Sequence, residues 1–327
     1  MIDLFPLVKE TGAYKTVRGE LLSGRLSHAY LILTADGENL DEYLKIFARL
    51  MVCKSEQLCF DCRSCRLIGE NAYSDVVFYP KNGDSINSED INSLIEESYL
   101  KPIEGDKKIF VLSQAQNMNA SAQNKLLKTL EEPPVGVHIL IGATSEFPLL
   151  ATVKSRVKKL EIPPYSAEKL FSAMQKDYPD KEKLTSAIAC ADGTVGRVAA
   201  LYADDGLKSL TDFCCDMICN MQSSKDVLKY STKLTALKCD TADFLSVTEL
   251  LLRDLLSAKQ GREDLIIDKQ TYSKIKDAKG FSTGALVGAL EKITDARKRK
   301  KFNANSTMLV EWLLFQILEG KFKWQKL

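Results

Sequence analysis

Ile109-Phe110-Val111-Leu112-Ser113-Gln114-Ala115-Gln116 decides how this chain is read. Its first half is a short apolar run and its second half a polar turn. A helical stretch follows over residues 119–132 and is stopped by Pro133-Pro134. A second apolar run covers residues 137–143, then come Thr144-Ser145 and later Ser155-Arg156. The order is strand, helix, strand, and a helix ending in an arginine. A parallel sheet with crossover helices has this rhythm, and its ligands sit at the carboxyl ends of the strands. Ser113 and Gln114 lie at such an end. In a nucleoside triphosphatase a metal-binding acid and a catalytic acid would stand there, and here neither residue is an acid. The stretch is an ATPase scaffold without its catalytic residues.

Upstream, residues 1–26 read as one or two helices, and His28-Ala29-Tyr30-Leu31-Ile32-Leu33 as a buried strand. A turn over residues 34–39 leads into a helix over 40–51. A strand, a short loop and a helix in this order is where a phosphate-cradling loop would sit. Of that loop only Gly37 is present. Leu40 stands where the lysine would be and Asp41 where the magnesium-binding hydroxyl would be. Glu38 and Asp41 put negative charge at the helix N-terminus, which suits the helix dipole and repels a triphosphate. Whether the loop is a degenerate nucleotide site or an ordinary turn, the expectation is the same: no ATP bound here. Further strands are expected at 75–80 and 159–162, and a helix at 88–100 with Ser88 as its N-cap.

Cys53, Cys59, Cys62 and Cys65 lie in a loop with Lys54, Glu56, Asp61 and Arg63. Thiolates in this number complete a tetrahedral zinc shell. The other use of reduced cysteines, as small apolar core residues, fits a polar loop poorly. An all-thiolate site is closed, hence structural. Cys214, Cys215 and Cys219 sit on one later helix with no further ligand near, and core packing is the better reading there.

The 327 residues suggest two or three domains, and the net charge of +1 gives no argument for nucleic-acid binding. No secretory signal and no apolar run of membrane-spanning length is visible, so a cytoplasmic, non-membrane protein is expected. Nine cysteines are then expected to stay reduced. Two histidines leave histidine-based catalysis few candidates. A boundary at Pro163-Pro164 divides the chain into residues 1–163, a small helical domain at 164–206, and an all-helical domain at 207–327. Residues 297–301 are a basic run, read as a solvated helix face before a DNA contact. Residues 308–318 are apolar almost all round and should be buried, within their domain or against a neighbouring subunit.

Taken together, these residues resemble the delta-prime family of bacterial DNA polymerase III subunits, in the AAA+ clamp-loader superfamily. Ser27-His28-Ala29-Tyr30-Leu31 resembles the family's entry strand, and the four cysteines its zinc module. Ala122-Gln123-Asn124-Lys125-Leu126-Leu127-Lys128-Thr129-Leu130-Glu131-Glu132-Pro133-Pro134 resembles its signature helix and is the most specific match. Ser155-Arg156 is similar to the Ser-Arg-Cys motif that clamp-loader subunits offer to a neighbour's ATP, with Val157 as the departure. Arg197 falls where a second nucleotide sensor would be, and residues 298–315 resemble the end of the collar domain. The resemblance implies an AAA+-like α/β domain with helices on both sheet faces and an inserted zinc module, then a lid-like helical domain and a collar. It implies a subunit without ATPase or polymerase activity that presents Arg156, next to Ser155, in trans. Its partners would be gamma/tau and delta subunits, with the sliding clamp and primed DNA reached through the assembled complex. The alternative is a gamma/tau-like ATPase with an unconventional phosphate loop. From the residues alone, Arg156 would read as a salt-bridged surface arginine.

Overall fold

The computed structural model describes residues 2–323 apart from 56, 82, 84, 204, 205, 238, 302 and 303; Glu56 of the cysteine loop thus lies outside the described residues. The chain forms two compact units, Met1–Ala173 together with Thr194–Gly196, and Met174–Gly193 together with Arg197–Leu327.

In the first unit the elements run α1 (Phe5–Val8), α2 (Gly12–Leu22), β1 (Ala29–Thr34), α3 (Leu40–Val52), α4 (Arg63–Gly69), β2 (Val76–Tyr79) and α5 (Ser88–Ser98). They continue with β3 (Lys108–Leu112), α6 (Ala120–Glu131), β4 (Val137–Ala143), α7 (Ala151–Lys154), β5 (Lys158–Ile162) and α8 (Ala167–Met174). The strands form one five-stranded sheet in the order β2-β3-β4-β1-β5. Every pairing in it is parallel. Parallel strands covered on both faces need apolar side chains at every position, and β1 and β3 are buried along their whole length. On one face Leu31, Phe110, Leu112, Ile139 and Ile141 pack with Ile91 and Leu94 of α5 and Leu126 and Leu130 of α6. Gly142 projects to the other face. A Cβ there would come within 2.6 Å of Leu44 Cδ1 and 3.0 Å of Leu40 Cδ1, so glycine is what lets α3 lie close on β4. At the edge, β5 exposes Lys158, Lys159 and Glu161, charges that discourage pairing with a foreign strand.

One helix start differs from the expectation. Asn87, not Ser88, is the N-cap of α5: its side chain accepts from Glu89 and Asp90 N–H, and Asp90 accepts from the Asn87 N–H in return. Both residue types cap well; the reciprocal box with Asp90 selects the earlier one.

The second unit holds α9 (Lys181–Cys190), α10 (Val195–Ala203, whose first two residues belong to the first unit), α11 (Gly206–Asn220) and α12 (Ser224–Ala236). It ends with α13 (Thr241–Lys259), α14 (Lys269–Ile275), α15 (Thr283–Lys301) and α16 (Ser306–Lys323). Phe244, Leu251, Leu252, Ile293, Leu313 and Leu314 are among its buried side chains. Cys214 and Cys215 are buried and Cys219 half-buried. The basic run is not simply a solvated face. Arg297 pairs with Asp192 and Glu249, and Arg299 lies 4.1 Å over the Trp312 ring. On α16, Leu309, Val310, Leu313, Leu314, Ile317 and Leu318 are buried, while Met308, Phe315 and Phe322 are exposed. Among the described residues no helix is long and apolar enough to cross a membrane.

Candidate functional site

The strand order turns at β1: the chain leaves β1 toward β2 at one edge and later fills β5 at the other. The carboxyl ends of the strands beside such a turning point are where an open α/β sheet takes its ligand. Asp36, in the turn after β1, lies at that point and is 3 % exposed. Its carboxylate accepts from Asn39 Nδ2 at 3.1 Å and from the Tyr43 hydroxyl at 3.1 Å. It also accepts from the backbone N–H of Val195 at 3.0 Å and of Gly196 at 3.3 Å, the first residues of α10. Helix N-terminal N–H groups favour an anion, and here the anion is a side chain of the protein itself. Gly196 is required for the approach, since a Cβ would lie 2.7 Å from Asp36 Oδ1. Burial, then Tyr165, then the Asp36 carboxylate push the Tyr43 hydroxyl up, which keeps it a donor at neutral pH.

The other residues of the strand ends also bond to one another. Leu40 is fully buried against β4, so the position of a phosphate-binding lysine belongs to the core. The Ser113 hydroxyl donates to Asp41. Gln114 sits in the left-handed region at φ 53° and donates its amide to Gly37 O at 3.3 Å. The Thr144 N–H donates to Gln116 Oε1 at 3.2 Å. The ends of β1, β3 and β4 are thereby tied together with no acid at 113 or 114.

The loop between α3 and α4 brings Cys53, Cys59, Cys62 and Cys65 together, with their Sγ atoms all within 4.8 Å of one another. Cys53 and Cys59 are 3.6 Å apart and Cys59 and Cys65 4.0 Å. A tetrahedral zinc with bonds of about 2.3 Å needs sulfurs about 3.8 Å apart, so the donor set fits a metal ion of that kind. The Cys62 N–H, then the Ser55 hydroxyl, hold the Cys59 thiol down to about 6, whereas burial pushes Cys65 up. A cation would draw both into the thiolate form.

Ser155 is the C-cap of α7, and its hydroxyl donates to Thr152 O at 3.0 Å. Arg156 follows at the surface. Its Nη1 donates to Thr152 O at 2.9 Å and Ser155 Oγ at 3.1 Å, and its Nε donates to Glu131 Oε1 at 2.8 Å. Nη2 pairs with the same Glu131 oxygen at 2.6 Å. In the second unit Arg197 pairs with Asp243 at 2.5 Å and donates to Cys190 O at 3.3 Å.

Sequence reading missed Asp36 and Glu131. An aspartate in the strand-to-helix turn and a glycine opening α10 were the only signals for the first contact. For the second, Glu131 was visible only as part of the signature helix.

A family model described as DNA polymerase III, delta subunit, matches residues 9–166. The DNA polymerase III subunit delta-prime of Bacillus subtilis (strain 168) is 26% identical over 94% of this chain and 95% of its own length. That of Yersinia pestis is 34% identical over 44% of this chain and 44% of its own length. The DNA polymerase III subunit tau of B. subtilis is 25% identical over 67% of this chain and 38% of its own length. The tau similarity leaves most of that longer protein unmatched, whereas the B. subtilis delta-prime match runs nearly end to end on both sides. The chain is thus similar to DNA polymerase III delta-prime subunits over nearly its whole length, and to the family model over residues 9–166.

Proposed function

We infer that the chain works in the cytoplasm as a subunit of the DNA polymerase III clamp loader that binds no ATP itself and offers Arg156 to the ATP of a neighbouring subunit. Its similarity to delta-prime subunits over nearly its whole length supports the role of a clamp-loader component. The observation that carries the non-ATPase part is the filled anion site: the buried Asp36 carboxylate takes the Val195 and Gly196 N–H groups, and Leu40 lies in the core. A triphosphate would meet a carboxylate where it needs donors, and would find neither a lysine nor a magnesium-binding acid.

Arg156 supports the second part. It stands at the surface just past the short helix α7 that follows β4, always charged and with a planar fork matched to phosphate oxygens. Residues 1–163 would form the AAA+-like domain, 164–206 the lid and 207–327 the collar that joins gamma/tau and delta subunits. The exposed Met308, Phe315 and Phe322 on α16 are suited to that joining. The sliding clamp and primed DNA would be met through the assembled complex. Cys53, Cys59, Cys62 and Cys65 would hold one zinc ion, which adds folding energy to the loop and no chemistry.

Calorimetry of ATP into the isolated chain tests the reading against a gamma/tau-like ATPase. No heat of binding up to millimolar ATP is expected, and micromolar binding would overturn it.

A further inference from the structure

We propose that Glu131 is a latch for Arg156: it occupies the edge of the guanidinium that a neighbour's phosphate needs, so the arginine engages ATP only by exchanging one anion for another. The proposal rests on the reading of Arg156 as a residue acting in trans and deepens it.

The guanidinium has partners on all its nitrogens. Nε and Nη2 converge on Glu131 Oε1, at 2.8 and 2.6 Å. Nη1 holds Thr152 O and Ser155 Oγ. A phosphate gripped by an arginine fork takes parallel N–H groups from one edge. The Nη1 side is fixed to two acceptors of the segment just before it, Thr152 O and Ser155 Oγ. The Nε–Nη2 edge is therefore the one to be released, and Glu131 holds it.

The position of Glu131 is independently unusual. It is the last residue of α6, followed by Glu132 and then Pro133. Negative charge at a helix C-terminus opposes the dipole, so helix stability does not select a carboxylate there. Pairing with Arg156 supplies a reason. The pair is also weak enough to open. The side chains are 34% and 50% exposed for Arg156 and Glu131, and an ion pair of that exposure changes an equilibrium by up to about fivefold. A polyanionic phosphate held by a neighbour out-competes a single carboxylate. A stray singly charged anion does not. The latch keeps the finger on its own chain until the adjoining site is loaded.

The test uses the clamp loader assembled from its own partner subunits, with this chain as wild type, Glu131→Gln, Arg156→Ala, or both. ATP hydrolysis is followed against ATP concentration. Glu131→Gln is expected to lower KM for ATP by up to about fivefold, with kcat changed less than about twofold. The gain shrinks as salt rises, because exposed pairs are screened. In the Arg156→Ala background the same substitution should change nothing. Full activity with Arg156→Ala would overturn the trans reading and the latch with it. An impaired Arg156→Ala beside a Glu131→Gln with unchanged or raised KM would overturn the latch alone. So would a Glu131→Gln effect that persists without Arg156, since the glutamate would then serve only α6.

Discussion

Asp36 satisfies the first N–H groups of α10 with a carboxylate of the protein itself. Asp36→Ala would leave those donors and the Tyr43 hydroxyl without their acceptor in a buried site. Buried orphan donors cost about 1–3 kcal/mol, so urea unfolding of Asp36→Ala should show a loss of about 2–3 kcal/mol. A variant as stable as wild type would mean that water replaces the carboxylate freely. Leu40→Lys should not restore ATP binding: it puts an ammonium into a fully buried apolar position and leaves Asp36 in place. A second residue carries a pH signature. Lys321 is buried, donates to Ile218 O at 2.8 Å and Met221 O at 3.2 Å, and is pushed down to about 8 by burial. Between pH 8 and about 10 the unfolded chain holds this proton and the folded chain does not. More protons on the unfolded state means that stability rises with pH. Wild type should therefore gain on Lys321→Met across that window, read as the difference between their chemical unfolding free energies. A constant difference would contradict it.

At the scale of elements, the cysteine loop should melt without its metal. Elemental analysis should find one zinc per chain in wild type and none in Cys62→Ser, with the loss confined to protease sensitivity around α4. Equal zinc in both would remove the assignment. On α16, a glutamate in place of Phe315 should weaken ring assembly by size-exclusion while the isolated chain stays folded, because Phe315 is 40% exposed. Strands were the legible part of the fold. β3 and β4 are near-continuous apolar runs, broken only by Lys108 at the start of β3 and His138 in β4, and burial on both faces demands that pattern. The cysteines were legible because their contacts are local in the chain. Asp36 and Val195 are 159 positions apart and Glu131 and Arg156 are 25 apart, so neither contact exists until the sheet and its helices have packed. Within the basic run, Arg297 departs from a solvated face for the same reason: the acids that pair with it come from α13 and from the turn before α10.

For the whole molecule, the proposed function is that of a non-hydrolysing member of an assembly whose other subunits hydrolyse ATP. The strand ends of the sheet are bonded to one another and to neighbouring turns: Ser113 to Asp41, Gln114 to Gly37, Asp36 to the start of α10. Arg156 stands apart from these ties, at the surface and paired with Glu131. Arginine fingers are worth about 10³ to 10⁵ in rate at a single site, and a ring with further fingers of its own would lose less in total turnover. The most direct measurement is DNA-stimulated ATP hydrolysis and clamp loading by the reconstituted complex carrying Arg156→Ala, after size-exclusion has shown that the ring has assembled. The account predicts a sharp fall in both rates, with weak rescue by Arg156→Lys because a point charge cannot reproduce the fork. Wild-type rates from a fully assembled Arg156→Ala ring would contradict it.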